Sequence, residues 1–173
     1  MLPIRKAFAR YSPWLTVVAV YLVLGLAGRT VLWSRFGMEA DVGASRLPYV
    51  LTAGCVNDLV ESLYLFAPFA LYILLVPDRW FRSTANRVIL YGATAATITG
   101  LIYLTAAEYF FFEEFDARFN IVAYDYLAYP TEVFTDIWEA YPVLKVLGVA
   151  VTLAALAIFF LRALVRPYEA LLD

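Results

Sequence analysis

The chain has 173 residues, of which 64% are hydrophobic, 17% aromatic and only 16% charged, with a formal net charge of −2. An ordinary soluble domain is less apolar and more charged, and no water-soluble fold of this size could bury so much apolar surface. Histidine is absent and Cys55 is the single cysteine, which removes the commonest general base and transition-metal ligand and excludes an intramolecular disulfide.

In hydrocarbon every backbone polar group must be satisfied internally, so a chain of this composition crosses a bilayer either as helices or as a closed barrel. The apolar residues form long unbroken runs without strand alternation, which predicts an all-α bundle of about four transmembrane helices. The first run, Trp14 to Trp33, follows Arg5, Lys6 and Arg10 and has a tryptophan at each end. It is too long for a cleavable signal peptide and lacks the small-residue cleavage site. Its one charge, Arg29, lies close enough to the far end to be expected to snorkel.

The second run, Leu63 to Val76, is charge-free but spans only about 21 Å as a helix, short of a bilayer core of about 30 Å. The span is therefore expected to extend over about 57–77, with a kink at Pro68 and with Asn57, Asp58 and Glu61 at the membrane's outer edge. Asp58 and Glu61 lie three residues apart on one helical face. They read either as first-turn acids stabilised by the helix dipole or as intramembrane acids on a proton or substrate path.

The third run, Val88 to Ala107, carries Gly92, Ala96 and Gly100 at four-residue spacing, a stripe that predicts close packing of another helix. The fourth, Val143 to Leu161, follows Pro142, has Lys145 in its first turn and ends at Arg162. With the N-terminus inside, eight basic residues fall in the inner segments and four (Arg35, Arg46, Arg118 and Lys145) in the outer ones. The positive-inside rule thus predicts a cytoplasmic N-terminus and a multi-pass protein.

Glu108 to Pro142 is then extracytoplasmic, with eight carboxylates and an aromatic at nearly every third position. Phe111, Phe115 and Phe119 share one helical face, so the third helix is expected to continue past the membrane surface. After Pro130, the residues Val133, Phe134, Ile137, Trp138 and Tyr141 form an apolar stripe opposite Glu132, Asp136 and Glu139, which predicts an interfacial helix. The segment reads either as an aromatic belt or as a docking surface for a domain or lipid headgroup. In the second reading Glu108, Asp116, Arg118, Asn120, Asp125, Tyr126, Tyr129 and Glu132 are the candidate contacts. Arg118 is the only cation beside Glu113, Glu114, Asp116 and Asp125 and is expected to pair with one of them. The carboxylates lack calcium-loop spacing, no phosphate-binding or nucleophile motif occurs, and no basic stripe suits nucleic acid. No catalytic, cofactor or metal residue is therefore assigned.

The stretch Phe111 to Pro142 resembles the juxtamembrane region of bacterial phosphoglycerol transferases and lipoteichoic acid synthase-like proteins of the alkaline phosphatase/sulfatase superfamily. The matching residues are Glu114-Phe115, Arg118-Phe119-Asn120, Asp125-Tyr126-Leu127, Tyr129-Pro130, Glu132-Val133 and Ala140-Tyr141-Pro142. Asn57-Asp58-Leu59 resembles the start of that family's second span. The resemblance implies a five-helix membrane domain in the bacterial inner membrane. It also implies an extracytoplasmic domain that uses a divalent metal and a threonine nucleophile on phospho- or sulfo-esters. The sequence ends before a fifth helix and has no counterpart of the nucleophile or metal ligands, so no catalytic role falls on a residue here. The expected function is that of a membrane anchor that positions such a domain over lipid. The competing reading is a self-sufficient transporter or assembly subunit that uses Asp58 and Glu61.

Overall fold

The computed structural model describes residues 3–37, 43–118 and 130–160, and among them every regular element is helical. Helix α1 spans Pro3–Phe36, and a short 3-10 turn leads into α2, Leu47–Leu65, and α3, Ala67–Leu75. A single turn, α4 at Asp78–Phe81, precedes α5 at Thr84–Phe115. The short α6, Pro130–Ala140, and the apolar α7, Val143–Phe160, complete the described chain. Helices α1, α5 and α7 are each long and apolar enough to cross a membrane, and the bent pair α2 and α3, taken as one broken span, would make a fourth.

Pro13 lies inside α1, and a neighbouring residue compensates for it. Pro13 in α1 has no N–H to offer the Ala9 carbonyl, and the hydroxyl of Ser12 donates to that carbonyl at 3.0 Å instead. At Phe66 the second span bends by 46°, with Pro68 in the first turn of α3, as the sequence predicts. There the indole Nε1 of Trp14 donates to the Phe66 carbonyl at 3.1 Å, tying α1 to the bend.

The end of the bundle that holds the N-terminus is locked by Arg10. Its guanidinium donates to the Ile73 carbonyl at 2.8 and 3.0 Å and to the Val76 carbonyl, pairs with Asp78, and lies 4.6 Å from the centre of the Phe81 ring. A cation at the carbonyl end of α3 complements the helix dipole. Nearby, the Ser83 hydroxyl accepts from the Asn86 amide at 3.2 Å and caps α5. The buried Asn86 side chain donates to the Phe81 carbonyl at 2.9 Å and accepts from the Tyr72 hydroxyl at 2.6 Å.

Helix α1 packs between the bent span and α5. Ile73, Phe81 and Leu90 join the inner elbow; Val17, Val18, Phe66 and Leu101 fill the middle; Val20 and Ile98 meet Ala154 of α7. The Gly92, Ala96 and Gly100 stripe does not make the predicted helix contact. Nothing lies within 4 Å of a Cβ built at Gly92 or Gly100, and Ala96 is exposed. Helix α5 packs instead through Leu90, Thr94, Ile98 and Leu101, all buried. Small residues at that spacing suit either a packed or a lipid-facing surface, and here larger side chains fill the gap between helices. Leu63, Leu71, Leu74, Val151 and Leu156 among others point outward, an arrangement suited to hydrocarbon and not to water.

Candidate functional site

The second span begins at Leu47, well before the position near 57 that hydropathy predicts, so Asp58 lies about three turns inside α2 and outside its first turn. The reason is Arg29. Its Nη1 and Nη2 donate to the two carboxylate oxygens of Asp58 at 2.5 and 2.6 Å, and the side chains are only 9% and 6% exposed. Arg29 therefore does not snorkel; it turns into the bundle. A planar guanidinium matched to a carboxylate is the arrangement in which a buried pair best offsets its desolvation.

Two glycines make room for it. A Cβ at Gly25 would lie 2.2 Å from Asp58 Oδ2, and one at Gly54 would lie 2.2 Å from Arg29 Nε. Each glycine stands four residues before the charge of its own helix, on the same face, and opposite the charge of the other. The motif is Gly25-x-x-x-Arg29 on α1 facing Gly54-x-x-x-Asp58 on α2. Sequence reasoning missed it, although the two matched spacings are its signal.

Glu61 is placed differently. It is exposed on the outer side of α2, and a carboxylate oxygen accepts a hydrogen bond from the Tyr21 hydroxyl at 2.8 Å. Tyr21 lies near the middle of the apolar stretch Phe8–Phe36, and Glu61 near the middle of the broken span Leu47–Leu75. The bond thus sits about 12 Å along α1 from Arg29, nearer the middle of the helices. Asp58 and Glu61 do not act as one acidic pair: the first is neutralised inside the bundle and the second faces outward.

At its C-terminal end α5 continues past Ala107 to Phe115, with the Phe111 and Phe115 rings 4.6 Å apart, and Phe119, the third residue of the predicted face, lies outside the described residues. Its 32 residues measure about 48 Å, well beyond a hydrocarbon core of about 30 Å. Asp116 then takes a left-handed conformation, φ 51°, and its N–H caps the Phe112 carbonyl at 2.9 Å. This reverses the chain, so that Arg118 pairs with Glu108 (Nε to Oε1, 2.5 Å) and not, among the described residues, with Glu113, Glu114 or Asp116, whereas Asp125 lies outside the described residues.

Helix α6 forms where the apolar stripe predicts it. Phe134 and Trp138 stack at 5.6 Å and remain exposed with Ile137, while Tyr141 at its end meets Phe110 of α5 at 5.3 Å. Glu132 lies in the first turn of α6, exposed, where the helix dipole favours it. Of the eight candidate contacts at the outer end, Glu108 and Arg118 meet and Asp116 caps the helix, whereas Asn120, Asp125, Tyr126 and Tyr129 lie outside the described residues. Among the described residues no group of three or more Cys, Asp or Glu side chains is arranged to hold a metal ion. No family model, curated protein or solved structure matches the chain.

Proposed function

We propose that this chain is the membrane-anchor and positioning module of a phosphoglycerol transferase- or sulfatase-like enzyme. It would lie in the bacterial cytoplasmic membrane with its N-terminus inside and its outer end beside the catalytic domain. The observation that carries the reading is the construction of that outer end. A single helix runs through the bilayer to Phe115, the chain is folded back by the Arg118–Glu108 pair, and α6 offers an amphipathic surface joined to α5 through Phe110 and Tyr141. Such a surface seats its aromatics among lipid headgroups and holds what is attached at fixed height. The family resemblance of the Arg118 to Pro142 segment supports the choice of enzyme class, and the divalent metal would belong to the catalytic domain.

The direct test is to read the gene beyond codon 173. The anchor reading expects an open frame that encodes a further span and a large domain with carboxylate and histidine metal ligands. A stop codon there, with no such domain encoded alongside, would overturn it.

A further inference from the structure

Independently of the anchor reading, the bent span presents a polar ridge to the membrane at mid-depth. Asn57, Glu61 and Tyr64 stand at i, i+4 and i+7 on α2, all exposed, among outward-facing Val56, Val60, Leu63 and Leu65. Asn57 and the Tyr64 hydroxyl have no hydrogen-bond partner among the described residues, and Glu61 has one, Tyr21. A carboxylate accepts about four hydrogen bonds, so most of the capacity of Glu61 is unused.

This placement is costly in hydrocarbon. Glu61 is about 21 Å along α2 from Leu47, too far for a short side chain to reach water by snorkelling. Among the described residues no ion pair cancels its charge as Arg29 cancels that of Asp58, and Arg29 lies about 12 Å along α1 from Tyr21, the partner of Glu61. Polar side chains on the outer face of a spanning helix are the groups through which helices associate in lipid, and an intramembrane acid marks a functional contact.

We infer that the Asn57, Glu61 and Tyr64 ridge, with Tyr21 beside it, is the docking site for a membrane-spanning helix of another protein that carries a lysine or arginine near its midpoint. Charge complementarity selects this occupant. Acyl chains have no donor to offer. A second copy of the chain inserted in the same sense would bring Glu61 against Glu61 at equal depth, a like-charge contact in low dielectric. A basic side chain at mid-depth would instead supply the donors that Glu61 lacks, and Asn57 and Tyr64 lie one turn away to bond its helix.

The full chain, reconstituted in phosphatidylcholine vesicles with a donor fluorophore at its N-terminus, is titrated with acceptor-labelled Leu/Ala peptides of about 23 residues. One peptide carries a single Lys at its midpoint, a second carries none, and a third carries the Lys two turns, about 11 Å, off centre. Saturable energy transfer at least fivefold stronger for the midpoint-Lys peptide than for the other two is expected, as is its loss in Glu61→Leu. Equal transfer for all three peptides would overturn the proposal, and so would undiminished transfer in Glu61→Leu. Chain-to-chain transfer that Glu61→Leu abolishes, without preference for the Lys peptide, would assign the ridge to a second copy and equally overturn it. The peptide comparison uses the unaltered chain, so it stands even if Glu61→Leu does not fold.

Discussion

Arg29 of α1 and Asp58 of α2 grip each other through two hydrogen bonds of 2.5 and 2.6 Å, each side chain less than a tenth exposed. Both groups sit where water cannot replace a lost partner. Removing either one, in Arg29→Ala or Asp58→Ala, leaves a lone buried charge and should destabilise the bundle by about 3 to 5 kcal/mol. The double variant Arg29→Leu/Asp58→Leu removes both charges and should be more stable than either single variant. Unfolding in mild detergent measures all three. A double variant as unstable as the sum of the singles would show that the two residues act separately.

The glycines that frame this pair should be intolerant of a methyl group in proportion to what it meets. At Gly54 an added Cβ would fall 2.2 to 2.7 Å from Nε, Cζ and Cδ of Arg29, along the shaft of the side chain, so Arg29 must leave Asp58. Gly54→Ala should then lower stability by about 2 kcal/mol or more, part of the cost of breaking a buried pair. Gly92→Ala meets open space and should be neutral or slightly stabilising, since alanine favours helix. Melting midpoints of the two variants check the contrast.

How much of this was legible in the sequence depended on whether the information lay within one helix or between two. The interfacial helix was readable because Val133, Phe134, Ile137, Trp138 and Tyr141 repeat along one face, and the bend at Phe66 because Pro68 lacks an N–H. The depth of Asp58 was not readable, because hydropathy scores a charge as though it were alone and Arg29 lies 29 positions away. Gly92, Ala96 and Gly100 misled for the opposite reason: a one-dimensional spacing does not specify what faces it. Arg118 reached Glu108 across the turn at Asp116, whose positive φ no neighbouring charge announced.

The distribution of Lys and Arg predicts an N-terminus on the inner side. In a Cys55→Ser background, an introduced cysteine at Ala44 should react with a membrane-impermeant thiol reagent on intact cells, and one at Ser83 should react only after lysis. The reverse pattern would invert the topology and place α6 inside.

The Arg118–Glu108 pair is largely solvent-facing on the arginine side, 52% exposed, so it should add only about 0 to 1 kcal/mol of stability. Arg118→Gln is expected to leave the melting midpoint essentially unchanged while freeing the chain beyond Asp116. Spin labels at Glu113 and Thr135 should give a narrow distance distribution in the parent and a broader one in the variant. Equal widths would show that the pair does not order the outer end.

The proposed positioning role is tested most directly in a gene product that carries the catalytic domain, by comparing turnover of a bilayer-borne phosphoglycerol lipid with that of a soluble aryl phosphate ester. Phe134→Asp/Trp138→Asp removes the apolar side of α6 that would sit in the interface. At least a tenfold loss on the lipid substrate is expected, with turnover of the soluble ester, insertion and folding unchanged. Full activity on both substrates would contradict it.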